Sequence, residues 1–353
     1  MHDLADQPPV QAPPTRRLFT YDPGEHVLGL DIDNTSLEHF ATCARSAQYR
    51  LVESREPSGT RMPLEYGSAK HLYLEHRLRG HAVPEAEQIL VNYLGQFQSD
   101  DPKEWRTVTH AVDSMRGYEQ YWASMPIEPV QKGGQPLVEV PFRLPLCDVA
   151  IPPLPWSRIA PHLTNPLALP PSRVPRTVRV YWTGKIDVVA PFLGDNYVWD
   201  HKTTSQAGPT FYSDFVLSAQ THGYVFAANH LWPELNIRGL RVNIIVGRAV
   251  TPTGTPHSYE RQTYVYNREH IAEWHKDTQI LVSDFIAHFL RDYFPKQTRW
   301  CQGRFGTCPY FSICSAMPSQ RHIVLNSSQY SDVTWSPLLP SQLTKPAPTQ
   351  LVF

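Results

Sequence analysis

Apolar residues recur at helical spacing through the first third of the chain, and further on the period shortens to two. In residues 35–52, Leu37, Phe40, Ala41, Ala44 and Ala47 recur near helical spacing behind a capping Thr35 or Ser36, which predicts a first helix. Residues 66–79 predict a second, with Ala69, Leu72, Tyr73 and Leu78 as its apolar positions. Residues 85–98 and 105–125 suggest two or three more, and residues 138–144 read as a strand. Residues 143–176 carry nine prolines, which rules out a regular sheet or helix and predicts a long ordered loop or an insertion.

Beyond that stretch, residues 177–190 and 197–203 are rich in Val, Ile, Tyr and Trp. Leu193-Gly194-Asp195-Asn196 separates them as a turn, so the pair predicts a β-hairpin. An amphipathic helix over 210–231, strands over 240–250 and 258–266 and a long helix over 268–293 follow. Strands interleaved with helices place the core in the α/β class. Residues 1–26 and 320–353, rich in Pro, Ser and Gln, read as a loose lead-in and tail around one domain over 27–319.

Composition narrows the choices. The 353 residues are 41% hydrophobic and 18% charged, enough to bury a sizeable core. No run approaches the roughly 18 consecutive apolar residues that span a bilayer, and residues 1–23 lack the apolar core of a signal peptide. The expected compartment is cytoplasmic, in a bacterial or phage-infected cell, with no membrane partner. A net charge of −1 excludes a polycation that binds nucleic acid by bulk attraction; a DNA partner would depend on where positive charge lies. Arg45, Arg50, Arg77, Arg79, Arg299 and Arg304 are candidate phosphate contacts. No GxxxxGK[ST] loop occurs, so an ATP-driven motor would be another protein.

The hairpin holds the candidate chemistry. Asp187 falls on its first strand, and Asp200 and Lys202 on the second. Alternation points Asp200 and Lys202 one way and His201 the other. A tight hairpin would set Asp187 beside them. Two carboxylates and an ammonium converging in an apolar sheet are costly to bury unless paired or bound to a cation. A hard divalent ion such as Mg²⁺ or Mn²⁺ suits them, with Lys202 orienting a water or stabilising charge on a phosphate. A structural Asp–Lys salt bridge at a sheet edge would leave the same D-x-K triplet. Trp182 and Trp199, on the same strands, are expected to pack the sheet rather than stack bases.

Gly67 and His71 lie four apart at the start of the second helix, Glu139 sits on the strand before the proline-rich stretch, and Gln220 and Tyr224 share a face of the helix after the hairpin. In this order, Gly67-Ser-Ala-Lys-His71, Glu139, Gly184-Lys-Ile-Asp187, Asp200-His-Lys202 and Gln220-Thr-His-Gly-Tyr224, the chain resembles the RecB-like P-D-(D/E)-x-K nucleases. The resemblance implies a restriction-endonuclease-like core: a central mixed sheet flanked by helices, with helical insertions. It implies His71, Asp187 and Asp200 as metal ligands, with the His201 carbonyl as a further one. Lys202 would be the catalytic lysine, and Gln220 and Tyr224 would hold the DNA backbone or support the metal site. Glu139 would join them, although the proline-rich insertion separates it from the strand that normally follows closely.

Of the five cysteines, Cys301, Cys308 and Cys314 are close enough to wrap one metal centre, and Cys43 lies far upstream. Thiolates suit Zn²⁺ or iron–sulfur clusters. One N-terminal and three C-terminal cysteines around the core resemble the iron–sulfur branch of the same family, the AddB-type and CRISPR-associated exonucleases. That implies Cys43, Cys301, Cys308 and Cys314 on a [4Fe–4S] cluster joining the chain ends. Six residues part Cys301 from Cys308 where the family often has two, and zinc or a set of buried thiols stands as the alternative. Cys147 is expected to be a plain thiol.

The expected activity is Mg²⁺- or Mn²⁺-dependent hydrolysis of DNA. By resemblance it is an exonuclease on single-stranded ends, in recombination, repair or phage replication, with a helicase or recombination protein as partner. A non-catalytic DNA-end-binding or adaptor protein on the same fold is the rival, and a damaged Asp187, Asp200 or Lys202 would mark it.

Overall fold

A computed structural model describes residues 18–59, 62–97, 99, 101–164, 171, 173–251, 256–303 and 306–332. Seven strands form one mixed sheet: β1 (Thr20–Asp22), β2 (Val27–Ile32), β3 (Val138–Ala150), β4 (Thr177–Phe192), β5 (Asp195–Thr204), β6 (Gly239–Gly247) and β7 (His257–Val265). Their order is β1-β2-β4-β5-β6-β7, with β3 on the other edge of β4. β2 runs parallel to β4, and β5 parallel to β6; the remaining pairs are antiparallel.

The hairpin of β4 and β5 closes on Leu193-Gly194, both at positive φ (51° and 90°), as a two-residue turn that matches strand twist requires. Its pairing is short. β5 meets β4 only from Phe192↔Asp195 back to Val188↔Trp199, while β2 pairs with β4 at Val178 to Trp182. Because β3 occupies the opposite edge from Thr177 to Val188, β2 and β5 share one edge of β4 and leave it forked between Trp182 and Val188. Asp187 is the residue just before the last rung of the hairpin, and Asp200 the residue just after it.

Helices cover both faces. Helices α1 (Asn34–Thr42), α5 (Ala219–Leu231) and α6 (Arg268–Arg291) pack Leu37, Val225, Val282, Phe285 and Ile286 against Leu28, Leu30, Val180, Trp182, Val242 and Ile244 in the main core. On the other face α2 (Met62–Leu78), α3 (Val83–Leu94) and α4 (Val108–Tyr121) build a second core around Tyr66, Tyr73, Leu90 and Met115, into which the sheet sends Ile245 and Tyr259. All nine residues of β6 are therefore buried, Arg241 and Asn243 among its apolar ones included.

Several expected boundaries move. β3 continues through Pro145 to Ala150, overlapping the expected loop over 143–176. It is an edge strand paired only with β4, with Pro141 and Pro145 exposed, where a missing N–H costs no ladder bond. Ile151, Leu154, Ile159 and Leu163 then enter the main core, so this segment covers the sheet; residues 165–170 and 172 lie outside the described residues. The first helix stops at Cys43, whose extended backbone (φ −162°, ψ 113°) parts α1 from a short helix Ala44–Ala47 and a π-turn Gln48–Val52. The expected helix over 210–231 is broken at 214–218, where Phe215 is buried and its carbonyl accepts from the Tyr266 hydroxyl at 2.7 Å.

The described parts of the expected loose ends are ordered. Leu18 and Phe19 are buried ahead of β1, and Tyr330–Asp332 pairs antiparallel with Arg55–Pro57. Single aromatic anchors hold them: Phe19 stacks edge-on with Phe289, and Tyr330 lies face to face with Tyr310. So few apolar positions leave no periodic pattern to read. Residues 1–17 and 333–353 lie outside the described residues.

Candidate active site

The fork brings the polar residues together. Asp187, 8% exposed, accepts the His201 backbone N–H on Oδ2 at 2.9 Å, and the same oxygen is 3.5 Å from His71 Nδ1 on α2. Glu139 reaches the spot from β3. Its backbone stands at φ 52°, a left-handed conformation that costs a residue with a Cβ about 1–3 kcal/mol and is kept where the surroundings impose it. One donor atom from each of His71, Glu139 and Asp187 lies within 4.8 Å of the others. Ligands about 2.1 Å from a shared Mg²⁺ stand about 3–4 Å apart, so a small contraction closes this set on one ion. Two carboxylates with one imidazole suit a hard or borderline divalent ion.

A second chain of contacts starts from Asp200, 2% exposed. Lys202 Nζ lies 2.9 Å from its Oδ2 and donates to its Oδ1 at 3.2 Å and to Gln220 Oε1 at 2.9 Å. Gln220 Nε2 in turn donates to the Tyr224 hydroxyl at 3.2 Å. Both Asp200 oxygens thus meet the Lys202 ammonium inside the protein, and a second buried carboxylate beside a three-donor cluster fits a cation-binding centre. Burial pushes the Asp200 carboxyl up from its usual range, against the pull of Lys202. Burial would also lower Lys202, but the carboxylates of Asp200 and Asp187 overcome it and hold the ammonium above its ordinary value. The Tyr224 phenol is driven far up by burial and by the same two carboxylates, so it stays a hydroxyl.

The sequence-derived residues separate by face. His201 turns away from Asp200 and Lys202, as alternation requires: its Nδ1 pairs with Asn243 Nδ2 at 2.9 Å, its ring stands edge-on to that of His71, and burial keeps it neutral. Glu139 stands with His71 and Asp187 in the group of close donor atoms, while Asp200 is paired with Lys202. Lys185, paired with Glu139, and Asn243 were not anticipated. Both carried a signal: Lys185 shares strand parity with Asp187, and Asn243 interrupts an apolar strand. Trp182 and Trp199 are buried, as expected. Most of the candidate arginines are spent inside the protein. Arg45 donates to the Phe294 carbonyl, Arg50 pairs with Glu56, Arg77 with Glu119, and Arg79 donates to the Val138 carbonyl. Arg299 is exposed, and Arg304 lies outside the described residues.

Cys43, Cys301, Cys308 and Cys314 line one cavity of about 220 Å³ with His39, Lys296, Trp300 and Tyr310. The Gln297 N–H points at Cys43 Sγ (3.4 Å), and Cys308 N–H donates to the Cys301 carbonyl at 3.0 Å. Burial, and then the neighbouring thiols, push Cys308 and Cys314 up. Cys147 stands apart on β3, its thiol pushed up to about 11 by burial. Among the described residues no helix is long and apolar enough to cross a membrane.

The profile of the PD-(D/E)XK nuclease superfamily matches residues 34–315 of the chain. The fold is similar to a solved structure from Eubacterium rectale, named as a candidate exonuclease, at 10% identity and a TM-score of 0.43, covering 76% of this chain and 85% of that one. No curated protein matches the chain.

Proposed function

The chain belongs to the PD-(D/E)XK nuclease superfamily, and we propose that it is a divalent-metal-dependent DNA nuclease that degrades single-stranded DNA from its ends. The observation that carries this reading is the fork: Asp187 and Asp200 flank the last rung of the hairpin, and Lys202 is fixed between Asp200 and Gln220. His71, Glu139 and Asp187 would hold Mg²⁺ or Mn²⁺, and Asp200 and the His201 carbonyl would supply further oxygens. When bound, the ion lowers the pKa of a water and offsets charge on the phosphate.

The chain's own residues do the rest. Lys202, kept cationic by two carboxylates, presents a charge that favours the phosphate as negative charge builds on it. Gln220 fixes that ammonium, and Tyr224, kept protonated, fixes Gln220. The β4–β5 rungs hold the two strands in register, so the two carboxylates and the ammonium are placed before substrate arrives.

At the second centre, Cys43, Cys301, Cys308 and Cys314 would carry a [4Fe–4S] cluster. The four thiols line one cavity of about 220 Å³, and thiolates gain from a cationic centre. Zinc is the alternative, separated by assaying iron, acid-labile sulfide and zinc. The setting that the resemblance to RecB-like nucleases implies is recombination, repair or phage replication, with a helicase as partner.

The test is digestion of end-labelled single-stranded and duplex DNA with Mn²⁺, Mg²⁺ or EDTA, using native protein beside Asp200→Ala and Lys202→Ala. Metal-dependent loss of label, fastest on single strands and abolished by both substitutions, is expected. Intact DNA under every metal, from folded protein, would overturn the proposal.

A further inference from the structure

The cluster of donors already contains a cation. Lys185 stands two residues before Asp187 on β4, so strand alternation puts both side chains on one face. Its ammonium pairs with Glu139 Oε2, and Glu139 is one of the three residues whose donor atoms close to within 4.8 Å. The residue directly across from Lys185 on β3 is Pro141, which offers no polar side chain, so the ammonium reaches along the strand to Glu139 instead. The Glu139 side chain is 7% exposed, and a carboxylate buried to that degree needs a positive partner. The Lys185 side chain is 38% exposed, so its flexible stem has a way out to solvent.

We propose that Lys185 is a resident counter-cation of the metal site: it holds Glu139 while no divalent ion is bound, and it gives that carboxylate up when an ion enters. The inference rests on the reading of His71, Glu139 and Asp187 as ion ligands. An ammonium held on Glu139 Oε2 stands close to any ion that the same carboxylate binds, and the two positive charges repel, so each weakens the other's hold. Lys185 therefore weakens ion binding relative to the bare donor set. In return it gives the Glu139 carboxylate, on its left-handed backbone, a positive partner of the chain's own. Entry of the ion drives a positive charge outward at the rim of the site.

Mn²⁺ binding to the full-length, DNA-free protein tests this, with free Mn²⁺ followed by electron paramagnetic resonance. Lys185→Met is expected to bind Mn²⁺ about tenfold more tightly than native protein, the scale set by removing one competing unit charge from a half-buried site. Lys185→Gln, which keeps a donor for Glu139, should move the same way. Lys185→Arg, which keeps the charge, should stay near native. Without metal Lys185→Met should melt below native protein, and Mn²⁺ should raise its melting temperature by more than it raises the native one. Equal or weaker Mn²⁺ binding by both neutral variants would overturn the inference while leaving the site in place. Asp187→Asn separates the two readings: its loss of Mn²⁺ binding keeps the site, and native-like binding would remove the site and the inference together.

Discussion

Asp187 and His201 are joined across the mouth of the hairpin, where the Asp187 carboxylate accepts the His201 backbone N–H at 2.9 Å. One side chain thus supplies both a strand-to-strand bond and a donor of the metal cluster. Asp187→Asn separates these jobs, because an amide oxygen still accepts the N–H but carries no charge. Stability should stay within about 1 kcal/mol of native, while cleavage falls on the order of 100-fold or more. Denaturant melts beside Mn²⁺-dependent digestion check both, and near-native cleavage would remove Asp187 from the chemistry.

Lys202 is the only described cation paired with the buried Asp200 carboxylate. Lys202→Met should therefore destabilise the metal-free protein by about 3–5 kcal/mol, the cost of an uncompensated buried charge. Adding Asp200→Asn should return much of that stability without returning activity, a coupling that a double-mutant cycle measures. Independent effects would mean that the ion pair plays no structural part.

Gln220→Ala leaves both charges of that pair in place and removes the hold on Lys202 together with the hydrogen bond to the Tyr224 hydroxyl. Activity should drop by about 10–100-fold, while the unpaired hydroxyl costs about 1–2 kcal/mol of stability. Equal losses in activity and in folded fraction would reduce Gln220 to a packing residue.

Gly223 lies between Gln220 and Tyr224 against the sheet. A Cβ there would stand 2.4 Å and 2.7 Å from Trp182 ring atoms and 2.9 Å from Trp274, and the Gly223 carbonyl accepts from Trp182 Nε1 at 3.0 Å. Gly223→Ala should cost about 1–3 kcal/mol by forcing the helix off the sheet. It should also slow cleavage, because Gln220 and Tyr224 move with the helix. Thermal melts and digestion rates on one preparation test the pairing of effects.

Burial holds several histidines neutral. His39 and His257 are each lowered to about 4 from an ordinary 6.5, and His110 and His222 are lowered as well. A depressed folded-state value means that protons bind the unfolded chain first. Stability is then whole above about pH 6.5 and is lost as pH falls towards 4, by about 1–3 kcal/mol for each strongly shifted histidine. Melting temperatures at pH 7.5, 5.5 and 4.5 should fall in that order, and His257→Gln should shallow the slope. A flat profile would mean that these rings take up protons in the folded state at their ordinary pKa.

The parts of this architecture that were legible in the sequence are those with a repeating period. β4, β5, β6, α2 and α6 stand close to where alternation or helical spacing puts them, and the D-x-K triplet with its Gln220–Tyr224 companion assembles from neighbouring elements. What was not legible depends on partners far away in the chain. The break at Cys43 is set by a backbone that turns its thiol towards residues about 250 positions later, and no local propensity encodes that. The place of Glu139 beside His71 and Asp187 goes with its left-handed backbone and with the sheet forking at Val188. Both are properties of three strands together. Lys185 was overlooked because a lysine beside a motif aspartate reads as solvated surface until its ion pair is seen.

The pairing of Arg55–Pro57 with Tyr330–Asp332, and of α1 with the cysteine cavity, also sets a timetable for synthesis. At roughly 5–20 residues per second, the segment bearing Cys43 emerges on the order of tens of seconds before Cys301, Cys308 and Cys314 can join it. During that interval Tyr49, which later packs against Tyr310, has no native cover, while the parallel strand β2 waits only until Trp182 has emerged. The nascent chain therefore carries an open aromatic surface through most of its elongation, and translation stalled before residue 301 would leave that surface without its partners.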